Sequence, residues 1–229
     1  TKVADPVTGS ARYQARVTQG AKEVPGYTLV LGTTNPQTID IVAEEGNTAV
    51  NNVKIFYYVE DTVDIKYEVV GPDGCGTLDN YQNNTVKVVD GTPEGSTPTA
   101  SAGFKFVGWY KDKDCTQPVD EAWIENNRIT PQKTADLGNG TMGYEAATYY
   151  AKFEYDVADL TINKQGWQAI DENQSFIFDV TGPNGYYKRV VIQGSGSVTI
   201  KGLKVGTYSV TEVTDWSWRY KTADGTANS

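Results

Sequence analysis

Val63-Asp64-Ile65-Lys66-Tyr67-Glu68-Val69 alternates apolar and charged residues without a break. In an extended chain successive side chains point to opposite faces, so Val63, Ile65, Tyr67 and Val69 share one side and the charged residues take the other. That period predicts a strand with one face on a core and one in water. Working outward, the pattern returns in Val53-Lys54-Ile55-Phe56-Tyr57-Tyr58-Val59, Leu160-Thr161-Ile162-Asn163-Lys164, Phe176-Ile177-Phe178-Asp179-Val180 and Tyr208-Ser209-Val210-Thr211-Glu212-Val213. Gly, Pro, Asn and Asp clusters separate these runs and supply the turns. A helical period is expected only around Asp120-Glu121-Ala122-Trp123-Ile124-Glu125, for one or two turns. The fold class is all-β.

A chain of 229 residues is long enough for several small domains. Strand runs meet after a few acidic residues near Glu60-Asp61-Thr62 and again near Tyr155-Asp156-Val157, which divides the chain into tandem modules at 1–60, 61–156 and 157–229. Both links are short and poor in Gly and Ser, so neighbouring modules are expected to hold a limited range of angles, as in an extended rod. Gly71-Pro72-Asp73-Gly74 and Gly182-Pro183-Asn184-Gly185 share one turn chemistry, with Pro presetting the first dihedral and Asp or Asn before Gly accepting positive φ. Both are expected to close hairpins.

Composition narrows the function. The formal net charge is −9 and the basic residues are scattered, which disfavours nucleic acid as a partner and keeps a chain soluble and monomeric. No run of apolar residues is long enough for a spanning helix, so membrane insertion is not expected. The absence of an apolar leader or tail leads us to expect a processed product or a fragment whose export and anchoring signals lie elsewhere. With no histidine, Ser-His-Asp and Cys-His nucleophilic catalysis and imidazole zinc sites fall away. Carboxylate chemistry, lysine chemistry and oxygen-ligand metal binding remain open. Asp112, Asp114, Asp120 and Glu121 are oxygen-rich but lack the spacing and glycine of a calcium loop, so a solvated acidic loop is expected, with no metal and no cofactor.

Three resemblances emerge along the chain. Val24-Pro25-Gly26-Tyr27-Thr28-Leu29 with the closing Phe56-Tyr57-Tyr58-Val59 resembles the later part of a mucin-binding-protein repeat, with its opening strand missing. Gly103-Phe104-Lys105-Phe106-Val107-Gly108-Trp109-Tyr110-Lys111-Asp112 with Thr148-Tyr149-Tyr150-Ala151-Lys152-Phe153 is similar to the internalin B-repeat class. Leu160–Lys164, Phe176-Ile177-Phe178-Asp179-Val180-Thr181-Gly182 and Gly206-Thr207-Tyr208-Ser209-Val210-Thr211-Glu212 resemble a Cna-type B domain. Together these imply β-grasp-like modules followed by a transthyretin- or Ig-like β-sandwich, in a segment of a Gram-positive surface adhesin. They place it outside the cell, on the surface or attached to the wall. In that setting an even cysteine count implies a bridge, so Cys75 and Cys115 are expected to form a disulfide worth about 3 to 4 kcal/mol for a loop of roughly 40 residues. Two free thiols are the alternative. Trp109 is read as the cap of a core, with a ligand platform as its alternative.

The Cna-type resemblance further implies a covalent bond between a lysine and an asparagine. Strand alternation sets Lys164 on one face with Leu160 and Ile162, and Glu212 on one face with Tyr208 and Val210. Burial would favour a neutral amine and a protonated acid, the two states an isopeptide reaction uses. An asparagine on a final strand is not evident: Asn228 lies in a polar context, so the closing strand is expected to be missing. An ordinary ion pair or solvent exposure of both residues is the alternative. Trp216, Trp218 and Tyr220 alternate and form the best candidate for an exposed ligand-binding patch, against core or interface packing.

The function expected on these grounds is that of a non-catalytic stalk or adhesive segment that projects or forms a host-binding region. The first alternative is a module recognising a host glycoprotein, glycan or immunoglobulin. The second is a carboxylate-based glycosidase, which needs two carboxylates about 5 to 10 Å apart in a cleft.

Overall fold

The computed structural model describes residues 2–42, 52–81, 84–166 and 170–216. Regular structure there is β, and the helical turns at Glu121–Trp123, Pro183–Gly185 and Thr214–Trp216 are all of the 3-10 type. The expected helix near residue 120 shrinks to the first of these, where the Asp120 carboxylate accepts the Ala122 N–H and caps it. By packing, the chain divides into two compact units. One comprises Thr1–Val70, Leu78–Pro98 and Gly108–Lys152, the other Gly71–Thr77, Thr99–Val107 and Phe153–Ser229.

The first unit begins with two antiparallel pairs. Strand β1 (Arg16–Gln19) pairs with β3 (Gln37–Asp40), and β2 (Tyr27–Leu29) pairs with β4 (Tyr58–Glu60). In the run Val53–Val59, Phe56 and Tyr58 are half-buried, whereas the opposite side, Val53, Ile55, Tyr57 and Val59, is 54%, 58%, 63% and 55% exposed. Its end pairs in β4, and before that the Tyr57 carbonyl accepts the Val30 N–H and the Ile55 carbonyl accepts the Gln37 side-chain amide.

Strand β5 (Thr62–Val70) follows one residue later, and that residue joins two sheets. The Asp61 N–H donates to the Gly26 carbonyl beside β2, while its own carbonyl accepts the N–H of Val88, which follows β7 (Asn84–Lys87). The Glu60 carboxylate reinforces the joint. Its side chain is 6% exposed and accepts the N–H groups of Val89 at 2.8 Å and Asp90 at 2.6 Å, with the Lys87 ammonium at 3.6 Å. Burial pushes this carboxyl up, but the two N–H groups and Lys87 outweigh it and hold the acid below its ordinary range. Gly26 has φ +77, and a Cβ there would lie 2.4 Å from Val89 Cγ2, so only glycine fits.

The other strands up to residue 155 are β6 (Gly76–Leu78), β8 (Pro98–Ala100), β9 (Phe104–Tyr110), β10 (Ile124–Glu125), β11 (Arg128–Ile129), β12 (Ala135–Asp136), β13 (Met142–Gly143) and β14 (Ala147–Tyr155), and parts of β6, β8, β9 and β14 fall in the second unit. A four-stranded sheet runs β7-β5-β14-β9. Its middle pair is parallel and in register over six positions, from Ala147 opposite Ile65 to Lys152 opposite Val70. The apolar face read from Val63–Val69 turns inward: Ile65 and Tyr67 are buried with Trp109, Ile129, Tyr149 and Ala151. The Tyr67 ring meets Trp109 edge-on at 5.9 Å and stacks on Tyr149 at 6.2 Å. Gly71-Pro72-Asp73-Gly74 does turn, with the Cys75 N–H on the Pro72 carbonyl, but it closes no hairpin. Strand β6 pairs with β8 and leaves β5 to β7 and β14.

In the second unit β15 (Val157–Asn163) pairs antiparallel with β18 (Ser197–Lys204), while β16 (Ser175–Thr181) is flanked by β17 (Tyr187–Gln193) and β19 (Ser209–Glu212). Both sheets supply one core: Ile162, Ile200 and Leu203 from the first, Phe176, Phe178, Val180, Val190 and Ile192 from the second, with Ile170. Here Gly182-Pro183-Asn184-Gly185 closes the β16–β17 hairpin as expected, with Asn184 at φ 55 and Gly185 at φ 75. On the outer face Arg189 forks onto Asp179 at 2.6 and 2.7 Å and Tyr187 donates to the same carboxylate. The guanidinium therefore holds Asp179 down at about 2 against the opposing effect of burial, with Tyr187 assisting.

The joint at Asp61 has a counterpart in this unit. Strands β14 and β15 are separated only by Asp156, whose N–H donates to the Gly103 carbonyl before β9 and whose carbonyl accepts the N–H of Val205 after β18. At both aspartates the backbone donor points to one sheet and the acceptor to the next.

Candidate functional site

Lys164 directly follows β15 and is fixed there by its N–H, which donates to the Gly196 carbonyl. Glu212 ends β19 and lies opposite Phe178. The two residues thus come from different sheets, and their side chains meet: Nζ sits 2.9 Å from Glu212 Oε2. Both are largely withdrawn from water, at 16% and 12% exposure. The ammonium also lies 4.4 Å from the centroid of the Phe176 ring, which is fully buried. In a poorly hydrated site the attraction within such a pair is less screened than on the surface, and removing either partner alone is costly. The contact brings together an amine-bearing and a carboxyl-bearing side chain, the residue types an isopeptide reaction uses.

The other expected sites fare differently. The bridge between Cys75 and Cys115 is not formed, and both thiols are free. Cys75 is committed to its own surroundings: it is buried, and the backbone of Gly71 passes so close that a Cβ there would lie 2.8 Å from its sulfur. The Cys115 thiol donates instead to the Lys113 carbonyl within its own turn, at a residue with φ 53. Burial raises both thiols, and for Cys115 the nearby Lys152 only partly offsets it. Titration with a thiol reagent is expected to modify Cys115 slowly in the native protein and Cys75 only after denaturant is added. Native protein with no reactive thiol that gains two on reduction would restore the bridge.

Trp109 is 1% exposed and its indole N–H donates to the Asn127 carbonyl at 2.8 Å, so it is core and not a ligand platform. The Asp112 carboxylate is engaged by the N–H and hydroxyl of Thr116 and the N–H of Gln117, and no metal-ligand cluster occurs among the described residues. The backbone of Trp216 ends the turn Thr214–Trp216, while Trp218, Tyr220 and Asn228 lie outside the described residues.

One surface escaped the sequence reading. Leu31, Gly32, Thr33, Thr34, Gln37, Ile55 and Tyr57 line an open depression, and Leu31 projects wholly into solvent. Its signal was present in the alternation of Val53–Val59, whose apolar side was assigned to a core. Comparisons with protein-family models, curated proteins and solved structures found no match.

Proposed function

We propose that this chain is a non-catalytic stalk or adhesive segment of a bacterial cell-surface protein, made of β-grasp-like modules followed by a transthyretin- or Ig-like sandwich. The observation that carries this reading is the pair of one-residue joints at Asp61 and Asp156. A multi-module chain that must project from a surface gains from joints without free linker, since each flexible residue would add conformational freedom. The Lys164–Glu212 pair supports the same reading, because it ties the end of β15 to β19 in the other sheet and has the residue types an isopeptide reaction uses.

A second reading, recognition of a host glycoprotein, glycan or immunoglobulin, is favoured by the exposed apolar depression around Leu31, Ile55 and Tyr57. Exposed aromatic and aliphatic side chains of this kind supply contact area in interfaces. The localisation is tested by labelling intact cells of the producing organism with an antibody to this chain. Surface signal that disappears after protease shaving is the expected result. Signal found only after lysis would end the surface reading.

A further inference from the structure

We infer that the segment from β5 to β14 is a mechanical clamp, built to resist tension applied along the chain. The inference rests on the stalk reading for its biological setting but on strand geometry alone for its physics. The chain enters this segment at Thr62, the N-terminal end of β5, and leaves through the C-terminal end of β14. These two strands are direct neighbours, parallel, and in register over six residue pairs.

In a parallel pair, the start of one strand and the finish of the other lie at opposite ends. Tension between Thr62 and the end of β14 therefore slides the strands along each other instead of peeling them apart. Sliding loads all the inter-strand bonds together, whereas peeling breaks them one at a time. Side chains oppose the same motion. Tyr67 and Tyr149 are registered partners with stacked rings, and Tyr67 is also held edge-on by Trp109. A slip of one residue would carry every buried side chain of a strand to the wrong face. The neighbouring strands add to the grip, since β7 and β9 flank the pair on either side.

Because modules in one chain bear the same tension, no particular arrangement between them is needed for β5 and β14 to be loaded. The residues that deliver the tension, Asp61 before β5 and Asp156 after β14, are themselves hydrogen-bonded through both backbone groups. The segments outside the clamp lack this geometry among the described residues: β2 with β4 and β15 with β18 are antiparallel two-stranded sheets.

The test is single-molecule pulling on the full chain in two geometries. With handles at the two chain ends, the expected trace contains a late, high-force step that releases about 30 nm, from roughly 90 residues at about 3.6 Å each. In the second geometry one handle stays at the N-terminus and the other is moved to the exposed turn at Asn139. That turn lines the same depression as Asp61, so both handles then act at one end of the sheet and peel it. Forced unfolding follows the unfolding barrier, and the expected step force falls at least about twofold in the peeling geometry. Equal forces in the two geometries, or a central segment that opens before the others in the end-to-end pull, would overturn the clamp. Either failure would leave the surface-labelling result untouched and thus separates the mechanical inference from the stalk reading.

Discussion

Trp109→Ala is expected to destabilise the β5–β14 segment by about 4 kcal/mol, the usual cost of deleting a large buried aromatic side chain. The indole is 1% exposed, packs edge-on against Tyr67 and satisfies the Asn127 carbonyl. Removing it leaves a cavity under the middle of the sheet and an acceptor that has lost its donor. Trp109→Phe keeps part of the volume but not the N–H, and is expected to cost about half as much. Urea unfolding followed through the amide signals of residues 62–155 measures both. A loss under about 1 kcal/mol for the alanine variant would place the indole at the surface, as a ligand platform requires.

Lys164→Met is expected to cost about 3 kcal/mol, toward the lower end of what breaking a buried ion pair costs, because the pair keeps slight contact with water. Methionine keeps an apolar side chain of similar length but removes the ammonium that pairs with Glu212. Converting the glutamate as well, in Lys164→Met/Glu212→Gln, is expected to recover most of the loss, since much of the penalty comes from keeping a carboxylate charge in a poorly hydrated site after its ammonium is removed. Additive losses in the double variant would show two independent packing defects and no coupled pair. Intact mass adds a chemical readout. An amide bond from Lys164 Nζ to an asparagine side chain releases the amide nitrogen as ammonia, whereas the ion pair seen here releases nothing. The 229-residue chain is expected to weigh the sum of its residues, with both thiols reduced, and a deficit of one ammonia that vanishes in Lys164→Ala would show that the covalent bond has formed.

The strands were legible wherever alternation coincided with burial. β5, β15 and β16 lie where Val63–Val69, Leu160–Lys164 and Phe176–Val180 put them. Val53–Val59 shows what alternation leaves open: it reveals that one face is apolar without revealing whether anything covers it. The parallel meeting of β5 with β14 was not visible, because strands about 80 residues apart carry no local signal of their pairing. Lys164 and Glu212 could be chosen from strand faces and a resemblance, but alternation places each only within its own sheet. Their 2.9 Å contact depends on how the two sheets face each other. The cysteines failed for a related reason, since an even count and an assumed compartment contain no distance. The joints were seen as boundaries, yet their construction uses backbone groups that every residue possesses.

The joints at Asp61 and Asp156 also impose a rule of parity. Each is a single residue between a strand that finishes one sheet and a strand that begins another, and its donor and acceptor are both spoken for. Adding or deleting one residue there would force a choice: keep the hydrogen bonds and turn the following strand over, or keep its faces and abandon the bonds. Turning β5 over would send Ile65 and Tyr67 into water and bring Asp64 and Lys66 inward. Segments of this chain can therefore be exchanged or duplicated only in phase, so that the spacing of its joints is as much a part of its inheritance as the composition of its cores.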